Sequence, residues 1–197
     1  MIRNFKEAYF KEKINNIISK DHTTNDALLE RMTRLAPKDG LILEFGVFSG
    51  TTVNRIATVT NKTVYGFDSF EGLPEDWVGV MNKGYFKCDL PKVNDNVELV
   101  IGWFNETLEG FLEKHDEKIA FCHVDCDLYS SSKYILDTLK DRFQSGTNIL
   151  FDELANYGGY ENHEYKAFIE FLSDENNEYD IEFLGRRNTE SFGFKLV

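Results

Sequence analysis

Apolar and polar positions follow two rhythms along this chain, and the change falls at Leu41. Before it, Phe5, Tyr9, Ile14, Ile17 and Ile18 recur among lysines, which suits an amphipathic helix over about 2–20. Leu28, Leu29, Met32 and Leu35 form one face of a second helix over about 25–35, which Pro37-Lys38-Asp39-Gly40 stops. After it, short apolar runs at 41–47, 63–68, 97–102, from 120 onward and at 147–153 read as strands. Helices are predicted between and after them, over 51–59, 106–114, 130–143 and 164–172, the third with Ile135, Leu136, Leu139 and Phe143 inward. Two last strands, 179–184 and 191–197, flank a turn near Gly185-Arg186-Arg187-Asn188, in which the arginines read as solvated. Strands alternating with helices predict right-handed parallel βαβ units covered on both faces. The last link is too short for a crossover helix, so the last strand should run antiparallel. The expectation is an α/β fold in one structural domain, with residues 1–40 as a helical cap on a domain running from 41 to 197.

Composition narrows the partners. The chain has 197 residues, enough for one continuous core, and a formal net charge of −12. An acidic protein is disfavoured as a binder of nucleic acid or an anionic membrane surface, because both reward a basic face. No run approaches the roughly 20 apolar residues of a membrane span. Cys88, Cys122 and Cys126 form no C-x-x-C pair; the last two read as small core residues within the strand that starts at Ala120, in a reducing compartment. Residues 1–6 lack a signal-peptide apolar core, which points to the cytoplasm. A homo-oligomer is compatible with all of this, and sequence does not decide it.

The candidate chemistry gathers at strand ends. In an open parallel sheet ligands bind outside the carboxyl ends of the strands. Here those ends carry Glu44-Phe45-Gly46, Asp68, Asp125 and Asp152-Glu153. Gly46 and Gly50 allow a sharp turn and close backbone approach, but their G-x-x-x-G spacing is neither a dinucleotide fingerprint nor a phosphate loop. An acid before the turn suits a cationic or amino-bearing ligand; a ligand-free strand–helix turn is the alternative. Asp68, 24 residues after Glu44, sits where nucleoside-binding sheets hold ribose hydroxyls. Together they fit an adenosine-containing cofactor without a pyrophosphate, such as S-adenosylmethionine.

Asp125 and Asp152 become neighbours if the fourth and fifth strands pair, since parallel strands lie about 4.8 Å apart. Carboxylates about 5 Å apart repel by roughly 3 kcal/mol at an effective dielectric near 20, so three of them, with Glu153, need shared protons or a cation. Oxygen donors favour Mg²⁺ or Ca²⁺; the alternative is loop acids in water. Asp127 reads as support at the head of the 130–143 helix, where an acid is favourable. His123 shares the alternation of Asp125 and reads as a core or strand-edge histidine.

Six blocks in order, LEFGVFSGTT (43–52), GFDSFEGLPEDW (66–77), NVELVIGWFNETL (96–108), FCHVDCDLYSSSK (121–133), FDE (151–153) and NHEYKAFIEF (162–171), resemble the macrocin O-methyltransferase-like family of class I S-adenosylmethionine-dependent methyltransferases, known for tailoring antibiotic sugars. The resemblance implies a Rossmann-like seven-stranded methyltransferase sheet. It implies that Glu44, Gly46 and Gly50 hold the methionine end of the cofactor and Asp68 the ribose. Ser69 and Phe70 would lie beside the adenine, and Gly102-Trp103-Phe104 would wall its pocket. Asp125, Asp152 and Glu153 match the metal-binding acids, with Asp125 also the candidate base; His163 is an alternative base or substrate contact. Antibiotic-tailoring members carry two aspartates where this chain has Asp152-Glu153, and a longer region before the first strand, which argues against a macrolide or aminocoumarin acceptor.

The function expected is Mg²⁺-assisted O-methyl transfer to a small hydroxylated acceptor, a sugar or glycoside, with a diol-like group able to chelate the ion. The alternatives are a catechol-like acceptor and a non-catalytic S-adenosylmethionine-binding partner subunit. A nicotinamide reductase is opposed by the missing G-x-G-x-x-G.

Overall fold

The structure, a computed structural model, describes residues 2–79 and 81–197. The elements run α1 (Ile2–Ile18), α2 (Leu28–Leu35), β1 (Leu41–Phe45), α3 (Thr51–Ala57), β2 (Val64–Asp68), β3 (Val97–Ile101), α4 (Phe104–Leu112), β4 (Ile119–Val124), α5 (Tyr129–Leu139), β5 (Asn148–Phe151), α6 (Glu164–Leu172), β6 (Ile181–Arg186) and β7 (Phe192–Leu196). One seven-stranded sheet has the order β3-β2-β1-β4-β5-β7-β6. β1 to β5 pair in parallel, and β7 inserts antiparallel between β5 and β6, as the short last link requires. The chain winds outward from β1 to β3, then returns to the other side of β1 for β4. The switch point therefore lies between β1 and β4.

Alternation along the strands sorts two apolar layers. Leu41, Leu43 and Phe45 of β1 face a core shared with α1, α4, α5 and α6, while Ile42 faces one shared with α2 and α3. The two amino-terminal helices thus close opposite faces of the sheet. On α1 the buried positions are Phe10 and Ile14, whereas Phe5 and Tyr9 are exposed. The helix is pinned by Lys6, whose ammonium donates to the carbonyls of Asp174 (3.1 Å) and Asn177 (2.6 Å) just beyond α6. On α2, Leu28, Leu29 and Met32 are buried and Leu35 is exposed. Asn148 of β5 donates to the Met32 carbonyl at 2.8 Å, and Arg55 of α3 pairs with Glu30 at 2.7 Å. Neither helix contributes to the cavity described below. Cover over that cavity comes from the connection at 71–96, pinched where Leu73 and Gly84 exchange backbone bonds with Tyr85 and Leu73 (2.8 and 2.9 Å). Among the described residues no helix is long and apolar enough to cross a membrane.

One glycine sets the geometry of the switch point. Gly46 (φ +94°) follows β1 where the backbone after β4 comes against it, and a Cβ there would stand 1.7 Å from the Asp125 carbonyl oxygen. The approach is held by Asp125 N–H donating to the Phe45 carbonyl at 2.8 Å and Gly46 N–H to the Phe67 carbonyl at 2.9 Å. Backbone, not a flexible side chain, is what the new methyl would meet. Gly46→Ala is therefore expected to destabilise the protein by about 4 kcal/mol or more, lowering the melting temperature by roughly 10 °C. Thermal unfolding followed by circular dichroism measures this, and a shift of only a degree or two would refute the close approach.

Candidate active site

A cavity of about 740 Å³ opens at the carboxyl edge of the sheet, across the switch point. That volume is in the range that takes a small-molecule ligand. One end is built from the turns after β1, β2 and β3. Gly46 and Val47 form its floor, and Asp68, Ser69, Gly102, Trp103 and Phe104 its walls. Asp68 is already busy: Oδ2 accepts from the backbone N–H groups of Val47 and Phe48, and Oδ1 from that of Phe70, each at 2.8 Å. A carboxylate has about four acceptor positions, so room remains for a ligand hydroxyl. The same bonds explain why the glycine turn keeps its shape with Phe48 in the left-handed region (φ +47°). The 102–104 turn, expected as a loop, is the start of α4, with Trp103 at the N-cap position and Gly102 at φ +140°.

Four sequence-predicted residues lie outside the lining. Glu44 is fully buried on the α2–α3 side, where its Oε1 stands 2.7 Å from Nδ1 of His123, its register partner on β4. Side-chain alternation turns it into the layer behind the glycine turn, where its Oε2 is buried without a hydrogen-bond partner. Gly50 (φ +77°) is the N-cap of α3 and packs under Pro91. Phe70 is 5% exposed and packs in the α2–α3 layer. His163 precedes α6 at the rim, beside the rings of Trp77 and Tyr157 at 6.3 Å each. Burial holds its pKa below the usual histidine value.

The other end of the cavity is acidic. β4 and β5 pair in register up to Val124 and Phe151, which sets Asp125 beside Asp152. Asp125, Asp127, Asp152 and Glu153 all line the cavity. Asp127 does not cap α5: the N-cap position is Leu128, with no side-chain cap bond. Its backbone is left-handed (φ +64°), and this turns the carboxyl into the cluster. Cys126, expected within the strand, lies beyond its end and stays buried. Glu164, at the start of α6, is fully buried beneath the cluster and accepts from the backbone N–H groups of Cys126 and Glu153, both at 3.3 Å. It ties together the loops after β4 and β5. Only its place in the 162–171 block pointed to it.

Charge balance decides the protonation of this end. Burial, then the charge of Asp152, lifts Asp125 well above the usual carboxylate range, with His123 acting the other way. Burial and the charge of Asp152 bring Asp127 to about 7. Glu153 and Glu164 are also raised well above normal, first by burial and then by neighbouring carboxylates. Asp152 alone goes down: burial opposes this, but His123, Arg187 and Ser191 outweigh it. Burial by itself would lower His123, yet Asp152 and Glu44 raise it to about 10. Its Nε2 stands 3.8 Å from Asp152 Oδ1, an ion-pair distance. Arg187, read from sequence as a solvated turn residue, lines the cavity and pairs with the same Oδ1. The hairpin between β6 and β7 brings it there, a long-range placement that no local pattern signals.

The donor set can be tested against a metal. Ligand atoms of His123, Asp125 and Asp152 lie within 4.8 Å of one another. His123 Nε2, buried without a hydrogen-bond partner, belongs to this group as a nitrogen donor beside the two carboxylates. The oxygen donors of the group are Asp125 and Asp152; Glu153, whose Oε2 is buried without a hydrogen-bond partner, lines the same cavity. Hard oxygen donors of this kind fit Mg²⁺.

Linkage follows from these shifts. Carboxyls raised in the folded state bind more protons there than when unfolded, so stability falls as pH rises from about 4 to about 7. The depressed Asp152 contributes stability that is complete above about pH 5 and does not oppose this trend there. The metal-free protein is expected to melt at a lower temperature at pH 7.5 than at pH 5.5, and Asp127→Asn should flatten the slope. Scanning calorimetry in a chelator measures it; a melting temperature that rises with pH would refute the unneutralised cluster.

The family model for a methyltransferase domain matches residues 43–154. A curated relative, the 8-demethyl-8-(2,3-dimethoxy-alpha-L-rhamnosyl)-tetracenomycin-C 4'-O-methyltransferase of Streptomyces olivaceus, is 28% identical over 144 residues, covering 59% of this chain and 53% of that protein. The match thus takes in about half of the relative's length. Among solved structures, the calicheamicin methyltransferase CalS11 superposes with a TM-score of 0.67 at 23% identity, over 85% of this chain and 75% of that one. The O-methyltransferase NovP gives 0.59 at 19% identity, over 85% and 78%. At these identities the structural likeness speaks for the fold. With a family model matched over more than half its length, the chain belongs to the methyltransferase domain family.

Proposed function

We propose that this protein is an S-adenosylmethionine-dependent O-methyltransferase acting on a hydroxyl of a small sugar or glycoside, assisted by Mg²⁺. The observation that carries the reading is the single cavity with two unlike ends. At one end is a glycine turn braced by Asp68, and at the other a buried acid cluster, both at the switch point. The rhamnosyl-directed relative supports the acceptor class.

At the first end, Gly46 lets the backbone approach the amino-acid portion of the cofactor, the remaining acceptor position of Asp68 takes a ribose hydroxyl, and Ser69, Trp103 and Phe104 flank the base. Gly50 shapes the turn. Glu44 acts at one remove, through His123. At the second end, Asp125, Asp152 and Glu153 would hold the ion, which supplies acidification and orientation of a bound hydroxyl. Two carboxylates in the wall are placed to take the acceptor proton. Asp125 carries the role by resemblance, and Asp127, at about 7, is matched to proton transfer near neutral pH. Trp77, Met81 and Phe86 of the 71–96 connection supply apolar lining to the cavity. His163, at the rim beside Trp77, is the alternative base or substrate contact.

Calorimetry with S-adenosylhomocysteine and NAD tests the cofactor: tight binding of the first alone is expected, and the reverse would sink the reading. Asp125→Asn should lower turnover by about 100-fold or more on a radiolabelled-methyl screen of rhamnosides and other hydroxylated metabolites, while S-adenosylhomocysteine binding persists. Turnover at the parent rate would remove Asp125 from both roles.

A further inference from the structure

The acid cluster has a built-in cation that neither the family match nor the proposed chemistry uses. Asp125, Asp127, Asp152, Glu153 and Glu164 crowd the ends of β4, β5 and α6. Among the described residues, Arg187 is the one arginine or lysine that pairs with any of them. Its side chain is only 14% exposed, and Asp152 on the other side is 12% exposed, so the pair is shielded from bulk water.

The pair is also over-determined. Oδ1 of Asp152 takes the Arg187 Nη2 and lies 3.0 Å from Ser191 Oγ, which is also 2.8 Å from the Asp152 carbonyl. The Arg187 N–H donates to the Ser191 carbonyl at 3.2 Å, locking both residues into the hairpin tip. His123 Nε2, buried without a hydrogen-bond partner, lies 3.8 Å from the same Oδ1. Glu153, which lines the same cavity, carries a buried oxygen without a hydrogen-bond partner. The guanidinium thus reaches Asp152 and no other acid of the cluster among the described residues.

We propose that Arg187 is a tethered counter-cation that competes with a divalent ion for Asp152. It holds the cluster together when the ion is absent and gives up Asp152 when the ion binds, which keeps ion affinity low enough for exchange. The inference rests on the metal reading above and adds that the hairpin tip sets the affinity. A guanidinium a few ångströms from a divalent ion repels it through a poorly screened medium, so removing the charge must tighten the ion's binding.

Mn²⁺ is the probe, followed by loss of its free electron-paramagnetic-resonance signal in wild type, R187Q and R187K. R187Q is expected to bind Mn²⁺ about tenfold more tightly and to melt lower than wild type without it, the deficit closing when Mn²⁺ is added; R187K should keep wild-type affinity. Binding of S-adenosylhomocysteine, measured in parallel, should be the same in all three. Equal or weaker Mn²⁺ binding by R187Q, with cofactor binding intact, would overturn the proposal and make Arg187 a positioner of Asp152. Absence of Mn²⁺ binding in every protein would overturn it together with the metal reading, while retained S-adenosylhomocysteine binding would leave the methyltransferase reading standing. Should R187Q fail to fold, wild type still decides. Modification of Arg187 by phenylglyoxal, mapped by mass spectrometry, should accelerate when Mn²⁺ is added, and an unchanged rate would refute the competition.

Discussion

Five carboxylates gathered at the ends of two parallel strands and a helix make the demand that the rest of this architecture answers. In water they would be indifferent to one another; buried, each raises the free energy of its neighbours in the ionised form. The protein meets this with three devices at different depths. Arg187 neutralises Asp152 from the hairpin, and His123 lies 3.8 Å from it on the strand. Glu164 takes two backbone N–H groups. The remaining acids keep their protons to higher pH than usual. Such a cluster is held in a state that a hard cation would relieve, and this sets it apart from a surface patch of solvated acids.

The sheet makes that concentration unavoidable. Parallel pairing of β1, β4 and β5 brings their carboxyl ends into one row, and the reversal of winding after β3 leaves a crevice beside β1. Gly46 is the point at which the crevice narrows to backbone contact. The braced turn above it and the acids beside it therefore share one cavity. Behind the crevice, Glu44 and His123 form a fully buried polar pair. His123 stands between the glycine-turn strand and the acid cluster, 2.7 Å from Glu44 Oε1 and 3.8 Å from Asp152 Oδ1.

The amino-terminal helices and the 71–96 connection divide labour in a way that follows from polarity. The helices carry apolar stripes and go to the sheet faces, where area can be buried. The connection carries glycines, acids and scattered aromatics, has no named helix or strand among its described residues, and lies over the cavity.

Nearly all of the element order was readable in the residues alone. Alternating apolar runs, glycine turns and the short last link are local signals, and local signals suffice for βαβ units and an antiparallel last strand. The pairing of Asp125 with Asp152 was accessible too, because consecutive parallel strands commonly pair. What pattern could not reveal was where side chains meet across long separations. Asp127 looked like a helix cap until its left-handed backbone turned it inward. Glu44 reads in the sequence as a strand-end acid, and only register shows that it stands against His123. Arg187 looked like a solvated turn residue until the β6–β7 hairpin folded over the strand ends. Sequence determined which residues stand at the ends of strands, since that depends on periodicity. Only the tertiary structure decided which of those charges neutralise one another, since that depends on distances set by the whole sheet.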